Sequence, residues 1–466
     1  KHNSLNCDSV KRRTKAMFIG RNKELQILKE KYKSNNFEFG IIHGRRRVGK
    51  TFLIRESIKN KRAIYFLAQQ ANEKTNLRLF SKAFGNYKGV GSIKYESFDE
   101  LFLEIFKEED LIVIIDEFTH LLEANNRFES MLQGIVDSHK DQSTIKLVIS
   151  GSEVGMFENI FSSSRPLFNR QTFQIHLKEC DYFESSLYFP NFNNENKIRI
   201  YSVFGGLPFY LSKIDDQNSL EENIINLIIK EGAQFASEVQ MLLNTELRSV
   251  HGYQSVLQAI HSGSTSLAQI DSKAGINDTS KTFKYIKKLI ELEIVIKEHR
   301  FKDKPNSKKH LYKIKNNFFA FYYRFIWKNE ASRAIMEATD FYDVFIKEQL
   351  DEYVAMRFEN ICQQYLVKNF KKRHQTPALH IGRYWYNNRE LKKDLEIDVC
   401  VESTKYLYAY ECKWTNNQIT KSIMDNLINK SKEIGATKYG AFSKNGFALN
   451  IKDKEYDLIT VADLFK

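Results

Sequence analysis

The stretch FGIIHGRRRVGKTFLI constrains this chain more than any other. A short apolar run, Phe39 to His43, enters a loop bounded by Gly44 and Gly49, and Lys50 and Thr51 then open an apolar, helix-like pattern. Phosphate binding needs the spacing Gly-x-x-x-x-Gly-Lys-Thr. The loop folds back so that the backbone N–H groups of Gly44, Arg45, Arg46, Arg47, Val48 and Gly49 surround an anion at a helix N-terminus. Lys50 then reaches the β- and γ-phosphates, and the Thr51 hydroxyl serves Mg²⁺.

Such a loop predicts a carboxylate at the end of a second buried strand. LIVIIDEF supplies it: five apolar residues, Leu111 to Ile115, precede Asp116 and Glu117. Asp116 is expected to hold Mg²⁺ and Glu117 to polarise the attacking water. Another apolar strand, RAIYFLA (Arg62 to Ala68), intervenes, and IKLVISGS follows, ending in Ser150 and Ser152. Strands alternating with helices imply an α/β fold with a parallel sheet, in which the Asp116 strand is not the sequence neighbour of the loop strand. The expected ligands are ATP and Mg²⁺, with Lys50 and Glu117 as catalytic groups.

The order FIGRNKEL (Phe18 to Leu25), phosphate loop, IDEF, ISGS, RPLFNR and GGLPFYL (Gly205 to Leu211) resembles the archaeal-type ATPase family, in the STAND branch of AAA+-related P-loop ATPases. The resemblance implies that Phe18, Ile19, Gly20 and Arg21 help cover the adenine. It also implies that Gly205 to Pro208, in a helical lid, approach the nucleotide. Ser150 stands where many relatives carry a sensor asparagine, and Arg165 and Arg170 are the candidate charge-stabilising arginines.

A chain of 466 residues is too long for one ordinary core, so three domains are expected. The net charge of +13 favours a polyanionic partner, DNA first, although a lysine-rich solvated surface also produces it. The five cysteines (Cys7, Cys180, Cys362, Cys400, Cys412) are scattered without a CxxC, which points to a reducing cytoplasm rather than a disulfide framework or zinc site. No run approaches the roughly 18 apolar residues of a membrane span. Residues 1–16 read as a disordered extension or an upstream misreading, and MFIGRNKEL at Met17 as a natural beginning.

Leu220 to Glu246 shows helical spacing suited to the lid, placing the ATPase part at 17–246. The segment 247–330 then reads helix, turn, helix, turn, helix, strand, a winged-helix pattern. Its third helix is expected to carry Phe283, Ile286 and Ile290 on one face and Lys281, Lys284 and Lys288 on another. That basic face suits a DNA groove, while a packing role inside the protein is the competing reading. NNFFAFYYRFIW (Asn316 to Trp327) is expected to be a core or interdomain helix.

In the last part, 331–466, the stretch YAYECKW places Glu411 and Lys413 two residues apart, on one face of a strand. LEIDVCV puts Glu396 and Asp398 on one face of the preceding strand, and Glu402 to Lys405 is short enough for a hairpin. If Val401 lies across from Tyr406, Glu396 faces Glu411 directly and Asp398 lies diagonal to it. Converging carboxylates repel, and a divalent metal, Mg²⁺ or Mn²⁺, completes them. A register shift of two residues preserves the convergence, and a shift of one destroys it. GRYWYN, EIDVCV and YECKW, in an αβββαβ order, resemble the PD-(D/E)xK nuclease superfamily, which has a restriction-endonuclease-like fold. They also resemble a C-terminal domain of unknown function carried by the same archaeal-type ATPases. The resemblance implies metal ligation by Asp398 and Glu411, a water-positioning Lys413, and an accessory acid at Glu359. Glu396 is the remaining candidate, with a solvent-facing acid as its alternative. Two readings follow: an ATPase that gates a DNA endonuclease, or a nucleotide-dependent switch whose C-terminal fold only binds nucleic acid or a protein partner. Assembly of several copies is compatible with both.

Overall fold

The computed structural model describes residues 19–152, 160, 162–163, 165–247, 249–304, 307, 309–388, 393–449 and 455–466. Phe18, Cys7 and the extension expected at 1–16 lie outside them. The chain divides into two compact units, Lys1–Glu179 and Cys180–Lys466.

The first unit is built on five strands: β1 (Glu38–His43), β2 (Ala63–Leu67), β3 (Ile112–Asp116), β4 (Lys146–Gly151) and β5 (Phe173–His176). Their spatial order is β2-β3-β4-β1-β5, and every pairing is parallel. As expected, β3 is separated from β1, here by β4. The three inner strands are buried at every residue, which is why their middles read as apolar runs. Helices Glu73–Tyr87, Phe98–Ile105 and Phe128–His139 supply Phe80, Phe102 and Phe128 to a core shared with Phe39, Val113 and Leu147. Because the strands are parallel, the ends of β1, β3 and β4 meet at one edge, where open α/β sheets place their ligand sites.

The second unit begins with helices Tyr182–Ser186, Asn194–Phe204 and Pro208–Leu211. The helical spacing over Leu220 to Glu246 is realised as separate pieces. An α-turn (Leu220–Ile224) opened by a Ser219/Glu222 capping box runs into a π-helical turn (Ile225–Ile229), and helix resumes at Glu238–Glu246. Helices Val250–His261, Leu267–Ala274 and Thr279–Glu291 precede an antiparallel pair, β6 (Val295–His299) and β7 (His310–Ile314). On the third helix the buried stripe is Thr282, Ile286 and Leu289, not one that includes Phe283, which is 49% exposed. One residue is 100° of helical turn, enough to carry Phe283 out of the stripe. Of the lysines placed on the basic face, Lys281 and Lys284 are exposed, whereas Lys288 is partly buried and pairs with Glu291 at 3.4 Å. Just after β6, Phe301 is buried and stacked on His380 at a centroid distance of 4.8 Å. The aromatic segment is also core, but not one continuous α-helix: α-helix Asn317–Phe321 becomes a π turn, Tyr322–Ile326.

A 25-residue helix, Leu350–His374, then packs against a mixed sheet of β8 (Ala378–Asn388), β9 (Lys393–Ser403), β10 (Leu407–Lys413), β11 (Lys438–Ser443) and β12 (Asp457–Thr460). These lie in simple order, antiparallel from β8 to β10 and parallel from β10 to β12. Helix Lys421–Ser431 makes the crossover between β10 and β11. Among the described residues no helix is long and apolar enough to cross a membrane.

Candidate functional site

The phosphate loop leaves β1 at His43 and ends where helix Lys50–Ser57 begins. Gly44 has no room for a side chain, since a Cβ there would meet the Leu177 carbonyl oxygen at 2.3 Å. Arg47 (φ 68°) and Gly49 (φ 95°) are left-handed, which turns the backbone back on itself. Val48 is buried, whereas Arg46 and Arg47 are exposed. Arg45 is buried and paired with Glu179 at 2.6 Å. Of the residues expected at the adenine, Ile19 and Gly20 are partly buried, and Arg21 donates to the Val48 carbonyl at 3.3 Å. That motif is therefore anchored directly on the phosphate loop. Lys50 Nζ donates to the carbonyls of Gly44 (2.7 Å) and Arg45 (3.2 Å) and to Ser152 Oγ (2.9 Å).

Asp116 is fully buried at the end of β3, and four donors surround its carboxylate. Thr51 Oγ1 (2.9 Å) and Tyr65 OH (2.6 Å) donate to Oδ2; the Ser150 hydroxyl and the Glu117 N–H (3.1 Å) donate to Oδ1. Glu117 is held at φ 53°, an uncommon left-handed conformation for a glutamate, and accepts from Ser152 Oγ at 2.7 Å. Lys50, Ser152 and Glu117 thus form one hydrogen-bonded chain. The loop, Lys50, Thr51, Asp116, Glu117 and Ser150 come together at one sheet edge. This arrangement fits a nucleotide: glycine-cleared backbone, one buried ammonium and a hydroxyl–carboxylate pair converge there. Arg165 and Arg170 are tied to acids of the same unit, Arg165 to Glu129 at 2.5 Å and Arg170 to Asp137 at 2.8 Å. Pro208 opens the short helix Pro208–Leu211 of the second unit.

The second constellation forms where β9 and β10 pair. Tyr408 lies opposite Val401 and Tyr410 opposite Val399, two residues away from the expected register. The parity survives, so the carboxylates still share a face. The partners change, and continuing this register brings Asp398, not Glu396, opposite Glu411. The hairpin turn accounts for the shift: Ser403 N donates to Tyr406 O at 3.0 Å, so the closing pair is Ser403 with Tyr406. On its other side β9 carries a bulge, with Asp398 and Val399 facing the single Arg383 between the pairs Gly382–Cys400 and Tyr384–Ile397. Such bulges re-aim side chains. Asp398 accepts from the Cys412 N–H at 2.8 Å.

Glu359, Glu396 and Asp398 each bring a carboxylate oxygen within 4.8 Å of the others. Arg383 pairs with Glu359 at 3.7 Å and closely with Glu396. Glu411 is claimed by two ammonium groups, Lys413 and Lys430, each at 2.6 Å. Burial and the Asp398 charge push the Glu359 carboxyl up to about 7. Burial and the Glu411 charge also raise Asp398. Burial pulls Glu411 the same way, but Lys430 and Lys413 outweigh it and hold that carboxyl below its ordinary value.

Sequence reasoning assigned no role to Tyr65, Ser152, Arg383 or Lys430. Ser152 sits in the quoted ISGS and Arg383 in GRYWYN, so both were within reach. Tyr65 and Lys430 carry no local signal, because their roles arise from strand order and from the crossover helix.

Residues 18–214 match the family described as an ATPase domain predominantly from Archaea, and residues 322–424 match a family of archaeal and bacterial proteins of unknown function. The chain is 33% identical over 430 residues to an uncharacterized protein of Methanocaldococcus jannaschii, covering 91% of this chain and 94% of that one. An uncharacterized ATP-binding protein of the same organism is 46% identical over 46 residues, 10% of this chain and 78% of that one. The Walker-type ATPase of Pyrococcus abyssi shares the fold, with a TM-score of 0.50 and 17% identity over 66% of this chain and 96% of that one. The chain belongs to this predominantly archaeal ATPase family, with the second family's region joined to its ATPase domain.

Proposed function

We propose that the chain is an ATP-hydrolysing switch whose second unit binds DNA and carries a metal-dependent, nuclease-like centre. Within the ATPase, Lys50 neutralises the phosphates, Thr51 and Asp116 hold Mg²⁺, and Glu117 orients the attacking water. The bond from Ser150 to Asp116 supports a sensor role for that serine, at the position where many relatives carry asparagine. Residues 247–330 are read as a winged helix. The exposed Lys281 and Lys284 leave its third helix available to phosphates, while Phe301, just after β6, is committed to packing on His380.

One observation carries the nuclease-like reading: Asp398 and the Glu411–Lys413 pair occupy one face of adjacent strands beside Glu359. A metal ion fits the donor set. Four carboxylates (Glu359, Glu396, Asp398, Glu411) face three cations (Arg383, Lys413, Lys430), and the shortfall lies at Glu359 and Asp398, where burial and mutual repulsion raise both carboxyls. All the donors are oxygens, suited to Mg²⁺ or Mn²⁺. The chemistry such a cation supplies when bound is polarisation of a phosphodiester and of water. Asp398 and Glu359 would hold it, and Lys413 would orient the attacking water from the Glu411 side.

A second reading has its own observation. Two lysines already neutralise Glu411, as expected of a fold that binds without cleaving. Incubating DNA with the protein and Mn²⁺, with and without ATP, separates the two. Cleavage lost in Lys413→Ala and ATP-dependent through Lys50 supports the first reading. Intact DNA with persistent ATP turnover supports the second.

A further inference from the structure

We propose that the cleft between helix Val250–His261, β7 and helix Leu350–His374 binds the sugar–phosphate backbone of a single nucleic-acid strand and leads it to the carboxylate cluster. The choice of a strand over a free phosphate ester rests on reading that cluster as a phosphodiester-cleaving centre; the phosphate chemistry rests on the cleft alone.

The cleft holds about 680 Å³ and is lined by Lys313, Arg324, Lys328, Arg357 and Arg383 against a single acid, Glu359. Three of the cations have carboxylate partners: Lys313 with Glu298 at 2.7 Å, Arg324 with Glu352 at 3.1 Å, and Arg383 with the cluster acids and Glu298. Lys328 and Arg357 have no ion-pair partner among the described residues, and the Arg357 guanidinium makes one hydrogen bond, to the Ile314 carbonyl at 2.9 Å. His261 lies on the same wall. Burial, followed by the positive charges of Lys328, Arg324 and Arg357, holds it down at about 4. The lining therefore has uncompensated positive charge, and a polyanion supplies the missing counter-charge.

Two features select the ligand. Tyr312 and Tyr353 line the cleft but are almost wholly buried, so they offer no face for bases to stack on. Recognition then falls on phosphates and is independent of sequence. A cavity of this size is on the scale of a small-molecule pocket, which suits one strand or a strand end and not the body of a duplex. Glu359 and Arg383 line the cleft and also belong to the carboxylate cluster, so the two sites are continuous.

The test uses the full chain in EDTA, where cleavage cannot occur, and follows the anisotropy of a fluorescein-labelled single-stranded oligonucleotide across a salt series. Lys328→Ala/Arg357→Ala is expected to reduce the magnitude of the log–log salt slope by about 1.4, or about 0.7 per lost phosphate contact. Affinity should also fall roughly tenfold, equally for oligonucleotides of different sequence. Lys328 is exposed, so Lys328→Glu gives a second variant with little cost to folding; it should weaken binding at least as much as Lys328→Ala. Unchanged affinity and slope in these variants would overturn the proposal. So would equal displacement of the oligonucleotide by a mononucleotide at matched phosphate concentration, which would mark a pocket for a free phosphate ester. Equal competition by blunt duplex would refute the single-strand assignment. Because no metal is present, loss of the nuclease reading leaves this readout untouched.

Discussion

Glu359→Gln should stabilise the second unit at pH 8 and leave it unchanged near pH 4. Glu359 is a carboxyl whose folded value lies at about 7, raised by burial and by Asp398. Between its unfolded value, about 4.3, and 7, the unfolded chain has released the proton while the folded chain still holds it. Stability therefore falls as pH rises through this window. The cost of ionising this carboxyl in the folded chain is on the order of 3 kcal/mol, and it is fully expressed once the pH is well above 7. Glutamine keeps the volume and hydrogen bonding without the charge, so it relieves that cost only where the glutamate would be ionised. All three tryptophans, Trp327, Trp385 and Trp414, lie in the second unit, so their fluorescence during urea unfolding reports it selectively. A stabilisation of about 2–3 kcal/mol at pH 8 that vanishes near pH 4 is the expected result. Equal effects at the two pH values, or destabilisation at pH 8, would refute the argument that Glu359 and Asp398 are forced together without enough counter-charge.

Lys50→Ala should lower ATP turnover at least about a hundredfold while leaving the tryptophan-monitored unfolding midpoint in place; retained turnover would remove the role given to the buried ammonium. Gly44→Ala should abolish nucleotide binding, measured by equilibrium dialysis, because its methyl group collides with the Leu177 carbonyl. Asp351 accepts from Arg199 (2.7 Å), Trp414 Nε1 (3.1 Å) and Lys444 (2.8 Å), joining helix Asn194–Phe204 to the residue that follows Lys413. Burial opposes its ionisation, but Arg199, Lys444 and Trp414 outweigh it and hold the carboxyl below its ordinary range. The stability it contributes is present above its unfolded value and lost as pH falls toward the folded one. The side chain is 41% exposed, so screening limits the cost of Asp351→Asn to about 1 kcal/mol at neutral pH, read by urea unfolding.

Local chemistry sufficed to read the nucleotide site from the sequence. A phosphate loop is contiguous, and its glycines, lysine and threonine act through the backbone that carries them. The buried strands announced themselves as apolar runs ending in Asp116 and Ser150, and parity alone put Asp398, Glu411 and Lys413 on one face. What required the tertiary structure was every relation between distant segments. Tyr65 reaches Asp116 because β2 is placed beside β3. Asp398, not Glu396, is aligned with Glu411 because the turn closes at Ser403 and Tyr406. Lys430 enters the site because the crossover helix passes over β10, and the basic cleft exists because helix Leu350–His374 lies against β7. A sequence records which side chains a strand or helix presents. Only the packed fold decides which of them share a dielectric and a counter-charge, and that sharing sets whether a carboxylate is a ligand, an ion pair or a trapped proton.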